Sequence, residues 1–170
     1  MTTPTTTTPT TTTPTTTTPT TATPTTATPT TTTTGLPADL HLALDRVADA
    51  LTAIFTGDPA PYAALWAPGT QPTLFGAWGP TEKGHDSVVT TFDWVASRFS
   101  DGIGCRPCYE VVDWSGDLAY TVGHEEVQVR VDGGPPAPMT LRVTHVLRRV
   151  DGKWRLVHRH ADHPPEDPRR

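Results

Sequence analysis

Cysteine is nearly missing from this chain. It has two in 170 residues, Cys105 and Cys108, set in the motif CRPC. Without a second pair there is no disulfide framework and no four-cysteine set for a structural zinc ion. The motif runs into the strand-like YEVVDW, whereas a redox pair usually gains its low thiol pKa from a helix N-terminus. Two ordinary cysteines near a strand start, a reversible disulfide and a metal contact all stay open. Long apolar runs are missing too, and none approaches the roughly 20 residues that span a bilayer. Basic charge is short: Lys and Arg number 13 against 18 Asp and Glu, for a net charge of -5. That balance argues against nucleic acid. The local run Arg148, Arg149, Lys153 and Arg155 is broken by Val150 and Asp151, as suits a solvated hairpin end. TVGHE and FGAWG lack the spacing of a phosphate-binding loop, and no Gly-x-Ser-x-Gly elbow is present.

From Met1 to Thr34 the chain lacks charge and aromatic residues altogether, and prolines recur at 4, 9, 14, 19, 24 and 29. So little apolar surface cannot offset the entropy of ordering, which predicts a disordered tail over 1–34, or a glycosylated stalk if the protein is exported. The segment has neither the basic start nor the apolar centre of a signal peptide, so a cytoplasmic location is expected. The remaining chain suffices for one core, with a domain expected over 35–163 and a frayed end over 164–170.

Within that domain, Leu40, Leu44, Val47, Leu51 and Ile54 recur at helical spacing and predict a helix over Asp39 to Thr56, with Asp39 as its cap. A short helix is expected over Pro61 to Trp66, and a third over His85 to Ser100. Leu74, Phe75 and Trp78 lie in a turn-rich stretch and predict a short strand or an ordered loop. The period then changes to two. Strands are expected over Tyr109 to Trp114, Leu118 to Val131, Met139 to Val150 and Lys153 to Ala161, the last two joined by a tight Asp151-Gly152 turn. Helices followed by a mostly antiparallel sheet make an α+β fold.

Three of the seven histidines fall in LRVTHVLRRVDGKWRLVHRHAD. If Val150 faces Lys153, paired numbers sum to 303, so His145 lies opposite His158 and Val143 opposite His160. Alternation then groups His145, His158 and His160 with Leu141, Val143, Leu147, Trp154 and Leu156 on the apolar face. Imidazoles there need polar partners or a solvent-filled cavity. On the preceding strand His124 and Glu126 share parity with Tyr120 and Val122 and point inward, with Glu125 on the other face; alternatively, Glu125 and Glu126 pair with the arginines of the neighbouring strand.

This segment, with DLAYTVGHEEVQV before it, resembles the C-terminal half of the SnoaL-like or nuclear-transport-factor-2-like superfamily, and within it the ketosteroid-isomerase homologues. The DGKW turn followed by VHRH also resembles the oligomerisation domain of a calcium/calmodulin-dependent kinase. The resemblance runs from about Leu36 to Asp162 and implies a curved sheet wrapped around N-terminal helices, forming a cone with a central pocket. It implies a homodimer, and a small, largely apolar organic molecule as partner. The implied chemistry is cofactor-free acid–base isomerisation, cyclisation or dehydration; the alternative is a non-catalytic binding or dimerisation module. His158, His160, His145 and Asp58 are the implied catalytic candidates. Tyr62, Trp66, Trp78, Tyr120, His124 and Glu126 are the candidates for contact with substrate. The isomerase's complete set of a tyrosine and paired aspartates is not matched. Histidine suits proton transfer near neutrality, while the opposing reading ties His158 or His160 to Glu126 or Asp162 in the core. A metal held by these histidines with Glu126 or His124 depends wholly on register, and no metal or cofactor is expected.

Overall fold

The computed structural model of the chain describes residues 35–165. Segment 1–34 and residues 166–170 lie outside the described residues, and with them the expectations of a disordered tail and of most of the frayed end.

Helix α1 (Ala38–Phe55) turns Leu40, Leu44, Val47, Leu51 and Ile54 into the core, as their spacing requires. Asp39 does not cap it. Pro37 holds the cap position, with no side-chain bond closing the end. The Asp39 carboxylate instead accepts the Trp154 indole N–H at 3.0 Å and pairs with Arg149 at 2.9 Å, which ties α1 to the last hairpin. Helix α2 (Ala60–Ala63) is one turn, shorter than expected, and sets Tyr62 in the core. Helix α3 (His85–Ser97) buries Val88, Phe92 and Ala96, and stops early because Phe99 opens a strand.

The strands are β1 (Thr73–Phe75), β2 (Thr81–Lys83), β3 (Phe99–Ser115), β4 (Leu118–Val131), β5 (Ala137–Val150) and β6 (Lys153–Asp162). They form one open, curved sheet in the order β2-β1-β6-β5-β4-β3. Only β1 and β6 run parallel, so the α+β architecture is as expected. Strand β3 begins at Phe99 rather than Tyr109 because three register shifts carry it through the Gly- and Pro-containing stretch that hides its alternation. Close approach fixes two glycines: a Cβ on Gly102 would sit 2.5 Å from the Phe55 Cβ, and one on Gly123 2.0 Å from the Cys108 carbonyl oxygen.

Asp151 and Gly152 have φ of 49° and 72°, the left-handed pair that a tight hairpin turn demands. From there the ladder follows the expected register as far as Leu147 opposite Leu156. Then one residue, Val157, is extra, and Val146 faces His158. The expected pairing is therefore corrected: His145 lies opposite Arg159, Thr144 opposite His160, and Val143 opposite Ala161. A bulge breaks strict alternation, so side chains beyond it swap faces relative to an unbroken strand. Trp154 and Leu156 point inward, but so do Arg159 and Ala161, while His158 and His160 turn outward. Among the described residues no helix is long and apolar enough to cross a membrane.

Candidate functional site

Four polar side chains meet beneath the helices on the inner face: Glu125 from β4, His145 from β5, Arg159 from β6 and Tyr62 from α2. Each is nearly or fully shut off from solvent. The Arg159 guanidinium grips the Glu125 carboxylate with both ends, Nη1 to Oε1 at 2.5 Å and Nη2 to Oε2 at 2.7 Å. Its Nη1 also donates to His145 Nε2 at 2.9 Å. The Tyr62 hydroxyl reaches the same Nε2 at 3.0 Å.

Chemistry assigns the protons. A guanidinium only donates, so Nε2 of His145 is the acceptor and the imidazole carries its proton on Nδ1. Burial holds the His145 pKa well below the ordinary 6.5, and the nearby Arg159 charge lowers it further. His145 is thus a neutral imidazole whose reachable lone pair is already engaged. Burial likewise pushes the Tyr62 phenol up, with Arg159 opposing and Glu125 reinforcing the rise, so the hydroxyl stays protonated. Burial works against the Arg159 cation, but Glu125 outweighs it and holds the guanidinium charged. A second phenol, Tyr109, has its hydroxyl buried without a hydrogen-bond partner among the described residues. It borders a cavity of about 10 Å³ shared with Thr121, Glu125 and His145, about the least space that admits one water.

Tyr62 and Arg159 also line a larger, mostly apolar pocket, with walls from Leu74, Trp78, Phe92, Phe99, Met139 and Leu141 and with His163 among its lining residues. Its cavity volume is about 60 Å³. The bonds of Arg159 to Glu125 and His145 leave its Nε–H and the second N–H on Nη2 for an occupant, with the Tyr62 hydroxyl close beside the guanidinium.

The expected site residues divide between the two faces of the sheet. His145 and Tyr62 join the buried cluster, and Trp78 forms pocket wall. Trp66 packs edge-on against Tyr62 at 6.2 Å and does not line the pocket. Asp58 is exposed, and its Oδ1 accepts the Ala60 N–H at 3.0 Å as a turn bond at the start of α2. His158 and His160 flank Phe75 on the outer face, with ring centroids at 5.3 and 5.6 Å, and His158 Nδ1 bonds the Thr73 hydroxyl at 2.8 Å. The inward reading of Tyr120, His124 and Glu126 is corrected as well. They do share a face, but it is the outer one, where His124 pairs with Glu110 at 3.0 Å. The inner face of β4 instead carries Ala119, Thr121, Gly123 and Glu125. Glu125 and Arg159 are the residues that sequence reasoning missed. Parity with Val127 and Val129 could have marked Glu125; nothing in the sequence near Val157 announces the bulge that turns Arg159 inward. Among the described residues no three His, Cys, Asp or Glu side chains converge to hold a metal ion.

The family model of the SnoaL-like domain matches residues 44–164. This chain therefore belongs to the SnoaL-like family. No curated protein matches it. Among solved structures, a ketosteroid isomerase-like protein from Erwinia carotovora atroseptica superposes with a TM-score of 0.63 at 20% identity, over 76% of this chain and 99% of the other. A candidate dehydratase of the nuclear-transport-factor-2-like family from Streptomyces avermitilis gives 0.62 at 20% identity, over 75% and 94%. A candidate calcium/calmodulin dependent protein kinase II association domain from Xanthomonas campestris gives 0.58 at 21% identity, over 78% and 94%. These likenesses establish the fold.

Proposed function

We propose that this SnoaL-like chain binds a small, largely apolar organic molecule in the inner-face pocket, with an oxygen of the ligand directed at Tyr62 and Arg159. One observation carries the reading: Tyr62 and Arg159 bring buried polar groups with available donors to the lining of a mostly apolar pocket. Tyr62 can turn its hydrogen to an occupant because Arg159 keeps His145 Nε2 satisfied. Native mass spectrometry of the full chain tests this. The expected result is a small organic adduct that disappears when Ala77→Phe fills the pocket. An empty wild-type protein that also ignores pocket-sized aromatic probes would sink the reading.

Cofactor-free isomerisation, cyclisation or dehydration is the catalytic extension of that proposal. Tyr62 and Arg159 would supply the oxyanion donors, in keeping with the role such groups play in enolate chemistry. The pocket lining includes no carboxylate, which leaves His163 to take the proton. Binding is therefore the better-supported part. A homodimer formed through the outer sheet face belongs to the same proposal and is favoured by the exposed side chains of Phe75, Val111, Tyr120 and Val122 there. A cytoplasmic location is supported by the two free cysteines.

A further inference from the structure

We infer that Glu125 sets the charge of the ligand this pocket accepts, selecting neutral hydrogen-bond acceptors such as ketones, aldehydes and amides over carboxylates. The inference rests on the binding reading above and deepens it. Glu125 does not line the apolar pocket; it stands behind Arg159 and acts through it.

The argument is one of charge. An arginine on an apolar pocket is ordinarily a carboxylate receptor, because its fork of N–H groups matches two carboxylate oxygens and its charge compensates theirs. Here the charge is already compensated. Glu125 takes one fork, Nη1 and Nη2, at 2.5 and 2.7 Å. His145 takes the remaining Nη1 proton at 2.9 Å and contributes no charge, and Tyr62 contributes none either. The buried cluster is a neutral unit that still carries unused donors on Nε and Nη2. A ketone oxygen can accept those bonds and leave the site neutral. A carboxylate can accept them too, but it would leave one uncompensated negative charge among Leu74, Phe92, Phe99 and Leu141, where burying it is costly. Neutrality thus decides the preference, and Glu125 supplies it.

The test uses acetophenone and benzoate, which match in ring and length and differ in charge. Both are titrated into the full chain at pH 8, above the range in which histidines ordinarily titrate, with binding read by calorimetry. Wild-type protein is expected to bind acetophenone at least ten-fold tighter than benzoate. In Glu125→Gln, which keeps an acceptor for Arg159 and removes the charge, the order is expected to reverse in favour of benzoate. The double variant Glu125→Gln with Arg159→Gln restores a neutral unit and is expected to restore the preference for acetophenone. A merely structural role for Glu125 would weaken both probes together and leave their ratio alone. Equal or benzoate-favouring binding by the wild type overturns the inference without any variant, even if Glu125→Gln fails to fold. An unchanged ratio in a folded Glu125→Gln overturns it as well. Failure of both probes to bind wild type and variants alike would instead remove the pocket reading beneath it.

Discussion

The two faces of strand β6 carry the same kinds of residue and put them to different use. Arg159 on the inner face is buried, doubly bonded to Glu125 and bonded to His145. His158 and His160, its immediate neighbours, sit on the outer face against Phe75, with one hydrogen bond to Thr73 between them. The difference comes from one extra residue. Up to Leu156 the strand alternates as its sequence suggests; after Val157 the inward set is Arg159 and Ala161. A single bulge thus gives the pocket a guanidinium where regular alternation would have given it two imidazoles. It follows that the inner-face group should be energetically indispensable and the outer-face histidines nearly free to change.

The sharpest way to break that contrast is Arg159→Met. It strands the Glu125 carboxylate in a buried site without its partner, which is expected to cost about 3–5 kcal/mol. Against a typical stability of about 5–15 kcal/mol, much of the margin would go. Urea denaturation checks the size of the effect. Replacing both partners, as Glu125→Leu with Arg159→Met, should recover most of the loss, because no charge is then left unpaired. If the single variant were as stable as wild type, the inner cluster would not be the anchor that its burial implies.

The pH response gives a second comparison, between His145 and the rest of the molecule. The His145 pKa is lowered in the folded state, chiefly by burial and also by Arg159, so the unfolded chain binds a proton there that the native chain does not. Stability from this group is therefore complete above about pH 6.5 and falls as pH drops below it. The sensitive window is pH 6.5 to 5. It lies above the titration of Asp132 and Asp162, whose carboxyls Arg98 and Arg142 hold low through hydrogen bonds. His145→Gln should flatten the slope there by up to one proton, or about 1.4 kcal/mol per pH unit. Denaturant midpoints measured across that window decide it. An unaltered slope would mean that His145 is not the buried neutral base described above.

How legible this was from the sequence follows from the same bulge. The α1 stripe, the tight turn at Asp151-Gly152 and the upper rungs of the last hairpin all rest on local periodicity and local turn chemistry, and these were readable. Residue pairing beyond Val157 depended on a defect that no spacing rule marks. The early start of β3 was hidden in the same way, by shifts at Ser100, Ile103 and Tyr109. His145 was recognisable as an inner-face group because it alternates with Leu141, Val143 and Leu147, whereas Tyr62 entered only through the family resemblance. Glu125 and Arg159 were not recognisable, because a charged residue beside other charges reads as solvated surface until its strand register is known.

Smaller effects sharpen the comparison at the cluster's edge. Tyr62→Phe removes one of two bonds converging on His145 Nε2 and leaves the Arg159 bond in place, so a loss of about 1 kcal/mol is expected. The same variant should weaken acetophenone in the calorimetric titration, since it also removes a donor from the pocket lining. A stability loss without any change in acetophenone binding would confine Tyr62 to a structural role.

The smallest expected effect belongs to the residue that draws the eye first in the sequence. His158 stands in the VHRH motif, yet in the fold it is only partly buried and does not line the pocket. Its pKa is lowered by burial and by His160, with the Thr73 contact opposing, which is the pattern of a neutral side chain resting on Phe75. His158→Gln keeps a polar group near the Thr73 hydroxyl and disturbs no buried charge. Its effect on the stability of the folded chain should stay within about 0.5 kcal/mol, the range of an ordinary surface change. Acetophenone binding should be unchanged, because the sheet separates His158 from the pocket. The one readout that it should move is the outer-face dimer proposed above, measured by sedimentation with and without the substitution. A His158→Gln protein that loses ligand affinity while its oligomeric state stays the same would reverse the assignment of the two faces.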